Sequence, residues 1–525
     1  MSSSKNKGNW NVKYRSKIVG IHAALLNNGR IILFSYPSRE HNDNDDEHAH
    51  SIFGSASHHG VFEIINPANW KGEDPKKIKK NVFCGGHCFL DDGNLFVSGG
   101  QYQTVHNPIL LVDPPSICTH TFSAHDYEWK LRQRSFLARW YPSCIALSNG
   151  TILIMSGSYG IYGIKKVGPF NFVNNRLEIY SKETGLKTIQ KIPFRLGLYP
   201  FLYMLPNGHV FVHSERTTRI YDVNNRSWIK FKSTNKLFEI HTNYEYSRTN
   251  PVQGASVILP FKKYSTEAKI MLIGGGGKSD DPKIDTPATE TCEIIEFKGD
   301  KESESDIPAW RYTTNMNFKR VMPDAVLLPN KKVLVVNGTE KGKSDAGQEP
   351  VLIAELYDPE NESWVLLNEM EVPRFYHSNA LLLSDGTVMT SGTDKEWNKG
   401  KEHDEYRIEV FTPPYLIKDA LSELGRPDIK NVKLQLQYDE VVSIESDQAE
   451  EINSVTIIKS SSVTHSLNTD QRCIELEILG TKKNYLTVRM PNSANFAPPG
   501  YYMIFILDKD ETPSKSKFIQ LLRTK

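Results

Sequence analysis

Residues able to serve redox metal chemistry recur at one position of a repeating pattern. Cys84, Tyr141, Tyr199, Met322 and His377 each stand nine residues before a turn residue, and Tyr376 immediately precedes His377. A thiol, several phenols and an imidazole gathered on one small ring suit a transition metal better than an apolar core. Imidazole with anionic oxygen fits copper. A free phenol ionises near pH 10, so a phenolate ligand at neutral pH needs the metal itself nearby. Taken singly, each residue has a plain packing role; a lone cysteine is usually a small buried hydrophobe. The chemistry therefore depends on the elements that bring the set together.

Those elements are repeats. An apolar stretch, a turn signal and a second apolar stretch recur as AALLNNGRIILFS, CFLDDGNLFVSGG, CIALSNGTILIMSGS, FLYMLPNGHVFVHSE, AVLLPNKKVLVVNG and ALLLSDGTVMTSG. A seventh copy, SVILPFKKYSTEAKIMLIGGGG, is stretched. The NG and DG pairs are hairpin signals, because the turn needs positive φ. Most copies are followed by a third strand, as in VFEIINPANW, LEIYSKETG and AELYDPENESW; the second copy offers the weaker ILLVDPPS. Neighbouring turns at Gly29, Gly93, Gly150 and Gly208, and at Lys331 and Gly386, lie 55 to 64 residues apart. Periods of that size, with several strands each, predict propeller blades. Seven copies predict an all-β, seven-bladed kelch-type β-propeller over residues 1–415, its repeats starting near residue 15. Propellers place their sites around the central channel, on segments entering the innermost strands. The counted residues should therefore face the axis at one end. Strand alternation would send Tyr376 and His377 to opposite faces; for both to face one site, the backbone there must be irregular.

After Tyr415 the pattern stops. SVTIIKS, RCIELEI, YLTVRM and YYMIFILD predict a small immunoglobulin-like β-sandwich over residues 416–525. Lys plus Arg is 63 and Asp plus Glu is 62, so the net charge of +1 supplies no field for polyanions and argues against nucleic acid. Six cysteines in 525 residues are too few for a disulfide scaffold. The polar N-terminus carries no signal-peptide pattern, and the longest apolar runs are strand-length. The expectation from sequence is a cytoplasmic monomer without a membrane span.

The segments VFCGGHCFLDDG, RWYPSCIALSNG, LGLYPFLYMLPNG, RVMPDAVLLPN, PRFYHSNALLLSDG, VTHSLNTDQR and FAPPGYYMIFI resemble the copper radical oxidases, closer to the glyoxal oxidase branch than to galactose oxidase. The resemblance covers nearly the whole chain. It implies a thioether between Cys84 and Tyr141, forming a radical cofactor that also ligates copper. It implies His377 and His465 as equatorial ligands, the latter delivered by the C-terminal domain, and Tyr376 as axial ligand and catalytic base. It implies oxidation of a small aldehyde or primary alcohol by dioxygen, with hydrogen peroxide as the other product. Tyr159 stands where galactose-oxidising members carry a tryptophan that stacks over the crosslink. Pro200, after Tyr199, stands where they carry a sugar-gripping arginine, and proline donates no hydrogen bond. Small aldehydes or alcohols are therefore expected ahead of galactose.

Other patterns compete. The tract HNDNDDEHAHSIFGSASHH holds His41, His48, His50, His58 and His59 and could bind metal, though it reads as a solvated loop. Cys84, His87 and Cys88 in CGGHC could suggest zinc, but no second ligand pair is evident. The GGGG at Gly274–Gly277 follows a strand without a phosphate-binding helix. The rival function is a catalytically silent kelch-type propeller that binds a protein partner.

Overall fold

The computed structural model describes residues 7–37, 59–101, 117–159, 173–231, 234–263, 265–277, 283–298, 307–344, 346–394, 396–398, 401–417 and 425–523. The tract from His41 to His58 and the ILLVDPPS segment lie outside them. Among the described residues the chain is all-β, and no helix is long and apolar enough to cross a membrane.

Among the described residues, the repeats form seven antiparallel sheets, each with a run of four neighbouring strands, and two of them carry further strands. Their first strands are His22–Leu25, Gly86–Phe89, Trp140–Ala146, Phe201–Met204, Ala255–Ile258, Asp324–Leu327 and Ser378–Leu382. These strands are mostly apolar because they are enclosed on both faces; every residue in them except Trp140 is buried. Outer strands such as Trp129–Arg134 and Ser363–Glu369 are largely exposed. At the hairpin turns the glycines 29, 93, 150, 208 and 386 have φ between 77° and 88°. Lys331 holds the same place in the sixth sheet at φ 66°, a conformation that L side chains rarely adopt.

Two strands carry no signal that the sequence reading used. The third strand of the second sheet is Cys118–Phe122. The outer strand of the seventh sheet is Asn9–Arg15, paired antiparallel with Arg407–Thr412. The N-terminus thus completes the last repeat, a pairing between residues almost 400 positions apart.

A buried ion pair ties several sheets to the segments that carry the site. The third strands contain Glu178, Glu293 and Glu355 at matching places. Each carboxylate meets an arginine from the loop entering its own first strand: Arg139 at 2.8 Å, Arg248 at 2.9 Å and Arg320 at 3.1 Å. All six side chains are essentially inaccessible. Arg139 lies two residues before Tyr141, so the pair fixes where that loop enters the sheet. Removing one partner leaves a charge buried and unpaired. Glu178→Ala is expected to cost about 3–5 kcal/mol, read from the urea midpoint. Asp126→Ala, which breaks a surface pair with Lys130, should cost at most about 1 kcal/mol.

The C-terminal unit has two sheets. One orders Asn431–Val432, Val441–Glu445, Tyr485–Arg489 and Glu477–Lys482. The other orders Gln435–Leu436, Lys517–Leu521, Gly500–Asp508, Ile452–Lys459 and Cys473–Glu475. Their facing residues, including Val442, Ile444, Val455, Ile457, Leu486 and Ile504, share one core with Phe201 and Ile270 of the repeats.

Between Ile452–Lys459 and Cys473–Glu475, neighbouring strands of the second of these sheets, the chain leaves the C-terminal unit and runs against the first strands of the repeats. Ser462–Thr464 adds to the first strand of the first sheet, with Ala23 opposite Val463. Ser461 O accepts from Leu25 N. The Asp470 carboxylate accepts from Phe89 N and Ala146 N, both at 3.2 Å, on the second and third sheets. Arg472 donates to Met204 O of the fourth. Cys473 O accepts from Phe261 N, just past the first strand of the fifth, at 2.9 Å. Gln471 Oε1 accepts from Leu327 N of the sixth at 3.0 Å. One segment therefore satisfies backbone groups on six sheets, groups that would be costly to leave buried and unpaired.

Candidate metal centre

The backbone is irregular at every counted position. Cys84, Tyr141, Tyr199, Met322 and His377 have φ of 63°, 64°, 47°, 61° and 64°. A left-handed residue at the mouth of a strand breaks the alternation, so residues on both sides of it can turn toward one space. That resolves the orientation of Tyr376 and His377, whose rings lie 3.8 Å apart at 31°. Hydrogen bonds link the irregular positions between sheets. Tyr141 N donates to Cys84 O at 3.0 Å, and Tyr199 N to Tyr141 O at 2.9 Å. Cys84 N donates to His22 Nε2 at 3.0 Å.

His465 arrives from the other side. It shares with Ser466 the two-residue turn between Ser462–Thr464 and Leu467–Thr469, at φ 49° and 64°. Two left-handed residues in succession make a type I′ hairpin, which puts the His465 ring at the tip of that segment. The ring lies 4.8 Å from Tyr141, 4.5 Å from His377 and 5.5 Å from Tyr376. Its Nε2 is 3.7 Å from Cys84 Sγ. The Tyr141 and Tyr376 hydroxyls are in hydrogen-bond contact.

Both imidazoles are oriented from behind. His377 Nδ1 is 2.6 Å from Asp394 Oδ1, and His465 Nδ1 is hydrogen-bonded to Thr464 Oγ1. His377 Nε2 is buried with no hydrogen-bond partner. Burial, with His377, His22 and His87 nearby, holds His465 well below the ordinary histidine range, so its ring is neutral and able to ligate. Ligand atoms of Cys84, His377 and His465 all lie within 4.8 Å of one another, the one such group of three among the described residues. Two imidazoles with two convergent phenols form a donor set that fits copper.

The remaining sequence candidates have distinct places. Tyr199 stacks on Tyr141 at 4.5 Å and 21°, and its hydroxyl donates to Gly85 O at 3.1 Å. Burial, with Cys84 nearby, pushes its phenol well above the ordinary range, so it stays protonated. Pro200 is buried and its carbonyl accepts from Ser143 Oγ at 2.6 Å. Both line a small cavity of about 20 Å³ with His87, Cys144 and Thr464. Tyr159 is 39% exposed. In CGGHC, His87 Nε2 faces His22 Nδ1 at 3.0 Å, while burial raises the Cys88 thiol; the motif gathers no ligand set.

Sequence reasoning missed three contributors. Trp140 stacks on Tyr141 at 3.8 Å and 14°, with Nε1 donating to Gln101 Oε1 at 3.0 Å. Two near-parallel rings this close cannot share a face, so Trp140 and Tyr199 enclose Tyr141 between them. Asp394 backs His377, and Tyr36 backs Asp394. Trp140 adjoins a counted position; Asp394 and Tyr36 carry no local signal.

The family profile described as "Glyoxal oxidase N-terminus" matches residues 22–415, and "Galactose oxidase-like, Early set domain" matches residues 426–521. The chain is 27% identical over 491 residues to "Aldehyde oxidase GLOX" of Vitis pseudoreticulata, covering 88% of this chain and 86% of that one. It is 29% identical over 497 residues to "Aldehyde oxidase GLOX1" of Arabidopsis thaliana, covering 88% and 75%. The solved structure of a fungal alcohol oxidase of the AA5 family, in complex with copper, aligns with a TM-score of 0.76. That alignment has 21% identity and covers 98% of this chain and 100% of that one.

Proposed function

The chain belongs to the glyoxal oxidase family and is an oxidoreductase, and from that premise we propose that it is a copper radical oxidase of small aldehydes or primary alcohols. Dioxygen would be the acceptor and hydrogen peroxide the second product. The seven sheets are read as the blades of a kelch-type propeller, with the C-terminal unit an immunoglobulin-like sandwich. The observation that carries the reading is the convergence of Tyr141, Tyr376, His377, His465 and Cys84 from four separate segments onto one buried point. A silent protein-binding scaffold gives no reason to bury two imidazoles oriented from behind.

Each residue then has a task. His377 and His465 would present Nε2, and Tyr141 and Tyr376 their phenol oxygens, to the metal. Copper, when bound, supplies the one-electron couple that complements a tyrosyl radical, so that together they account for a two-electron oxidation. Tyr376 accepts the hydroxyl proton of the alcohol or aldehyde hydrate. Tyr141, as a radical, would take the hydrogen atom from the substrate carbon. A thioether from Cys84 makes its ring easier to oxidise, while Trp140 and Tyr199 cover both faces. The substrate loses two electrons and two protons, which dioxygen takes up as peroxide. Pro200 offers only a carbonyl, already used by Ser143, so a sugar finds no donor there.

The test is formation of the crosslink. Closing a bond between Cys84 Sγ and the Tyr141 ring removes one S–H and one C–H hydrogen, reducing dioxygen to peroxide. The purified protein, loaded with copper under oxygen, is expected to lose the mass of two hydrogens, and Cys84→Ser is not. An unchanged wild-type mass overturns the reading.

A further inference from the structure

The two histidines that face the metal centre are backed by different chemistry. His465 Nδ1 rests on the hydroxyl of Thr464, a neutral group next to it in sequence. His377 Nδ1 rests on the Asp394 carboxylate at 2.6 Å, and the two side chains are 3% and 1% exposed. The second carboxylate oxygen accepts from Tyr36 OH at 2.5 Å. With its Nδ1 engaged by the Asp394 carboxylate, the His377 ring turns Nε2, which has no hydrogen-bond partner, to the site.

The arrangement is assembled from three sheets. Tyr36 follows the second strand of the first sheet, Ile31–Ser35. Asp394 follows the second strand of the seventh, Val388–Gly392, past Thr393 at φ 86°. Phe83, beside Cys84, packs edge-on against both rings, at 4.7 Å and 88° to Tyr36 and 5.2 Å and 77° to His377. Burial and the neighbouring Asp394 push the Tyr36 phenol well above its ordinary range, so it remains a donor.

We propose that Asp394, held by Tyr36, is a positioning residue of the metal centre that fixes the His377 ring and delivers negative charge through it. His377 becomes the stronger donor of the pair, and His465, backed by a hydroxyl, the weaker. A carboxylate behind one ligand favours the more highly charged metal state. The centre is thus biased toward the oxidised ion.

This inference rests on the copper reading above, and its test separates the two. Copper(II) affinity of the apoprotein is measured by chelator competition, and the copper(II)/copper(I) potential by redox titration. Asp394→Asn keeps an acceptor of the same shape but removes the charge. It is expected to weaken copper(II) binding about 10–100-fold and to raise the potential. Asp394→Glu is expected to recover part of both. Tyr36→Phe, which leaves the carboxylate in place, is expected to shift both less, and it reports independently should Asp394→Asn fail to fold. Wild-type affinity and potential in Asp394→Asn and Tyr36→Phe overturn the inference and leave the copper reading standing. Failure of the wild type to bind copper overturns both.

Discussion

Replacing Tyr376 with phenylalanine is expected to lower turnover by about 10²–10⁴-fold, the range that a positioned proton acceptor contributes. The substitution is narrow. Tyr376 is 2% exposed and packed against His377 at 3.8 Å and His465 at 5.5 Å, and phenylalanine keeps those ring contacts. It removes only the hydroxyl that meets Tyr141. The loss should fall on kcat with little change in KM, because the group acts in the transition state. A peroxide-coupled assay over glyoxal, methylglyoxal and simple alcohols reads it. Tyr199→Phe is the matched control: the same deletion one ring away, where the hydroxyl is committed to Gly85 O. Its kcat should stay within about tenfold of wild type, since it loses a hydrogen bond and no proton acceptor. Equal kcat values for the two variants would remove Tyr376 from the proton-transfer role.

The contrast between these tyrosines shows what one dimension of sequence holds. Each hairpin turn needs positive φ, and glycine writes that need into the chain, so the period and the offset of Cys84, Tyr141, Tyr199 and His377 could be counted. Counting gives position along the axis and not direction. The left-handed backbone that turns Tyr376 and His377 together falls on Cys, Tyr, Met and His, residue types that do not announce it. The same holds at the tip of the His465 hairpin, where His465 and Ser466 form a two-residue turn without Asn or Gly. Pairing across distance is quieter still. Asn9–Arg15 joins the seventh sheet, and Asp394 meets Tyr36 from 358 residues away, through geometry that exists only once the sheets are arranged. The pairing of Arg139, Arg248 and Arg320 with the third-strand glutamates likewise appears only once each sheet is formed.

His465→Ala is expected to lower copper affinity by at least about 100-fold, beyond the range for a residue behind a ligand, while leaving the fold intact. The metal loses one of two imidazoles. His22, the next ring at 5.7 Å, has Nε2 occupied by Cys84 N and Nδ1 by His87. The hairpin does not depend on its tip. Val463 pairs with Ala23, and Asp470, Gln471 and Arg472 bind backbone groups on the second, third, fourth and sixth sheets. Copper that binds only the folded protein stabilises it by RT ln(1 + [L]/Kd), about 2.7 kcal/mol at a hundred times Kd. Wild type should therefore show a rise in thermal midpoint on adding copper. His465→Ala should begin near the metal-free wild-type midpoint and show no rise at the same concentration. Asp470→Ala works the other way. It leaves His465 in the chain but deprives Phe89 N and Ala146 N of their acceptor, so the metal-free midpoint itself should fall. A copper-induced rise of wild-type size in His465→Ala would mean that the metal sits elsewhere and that the segment carrying His465 serves only to join the two units.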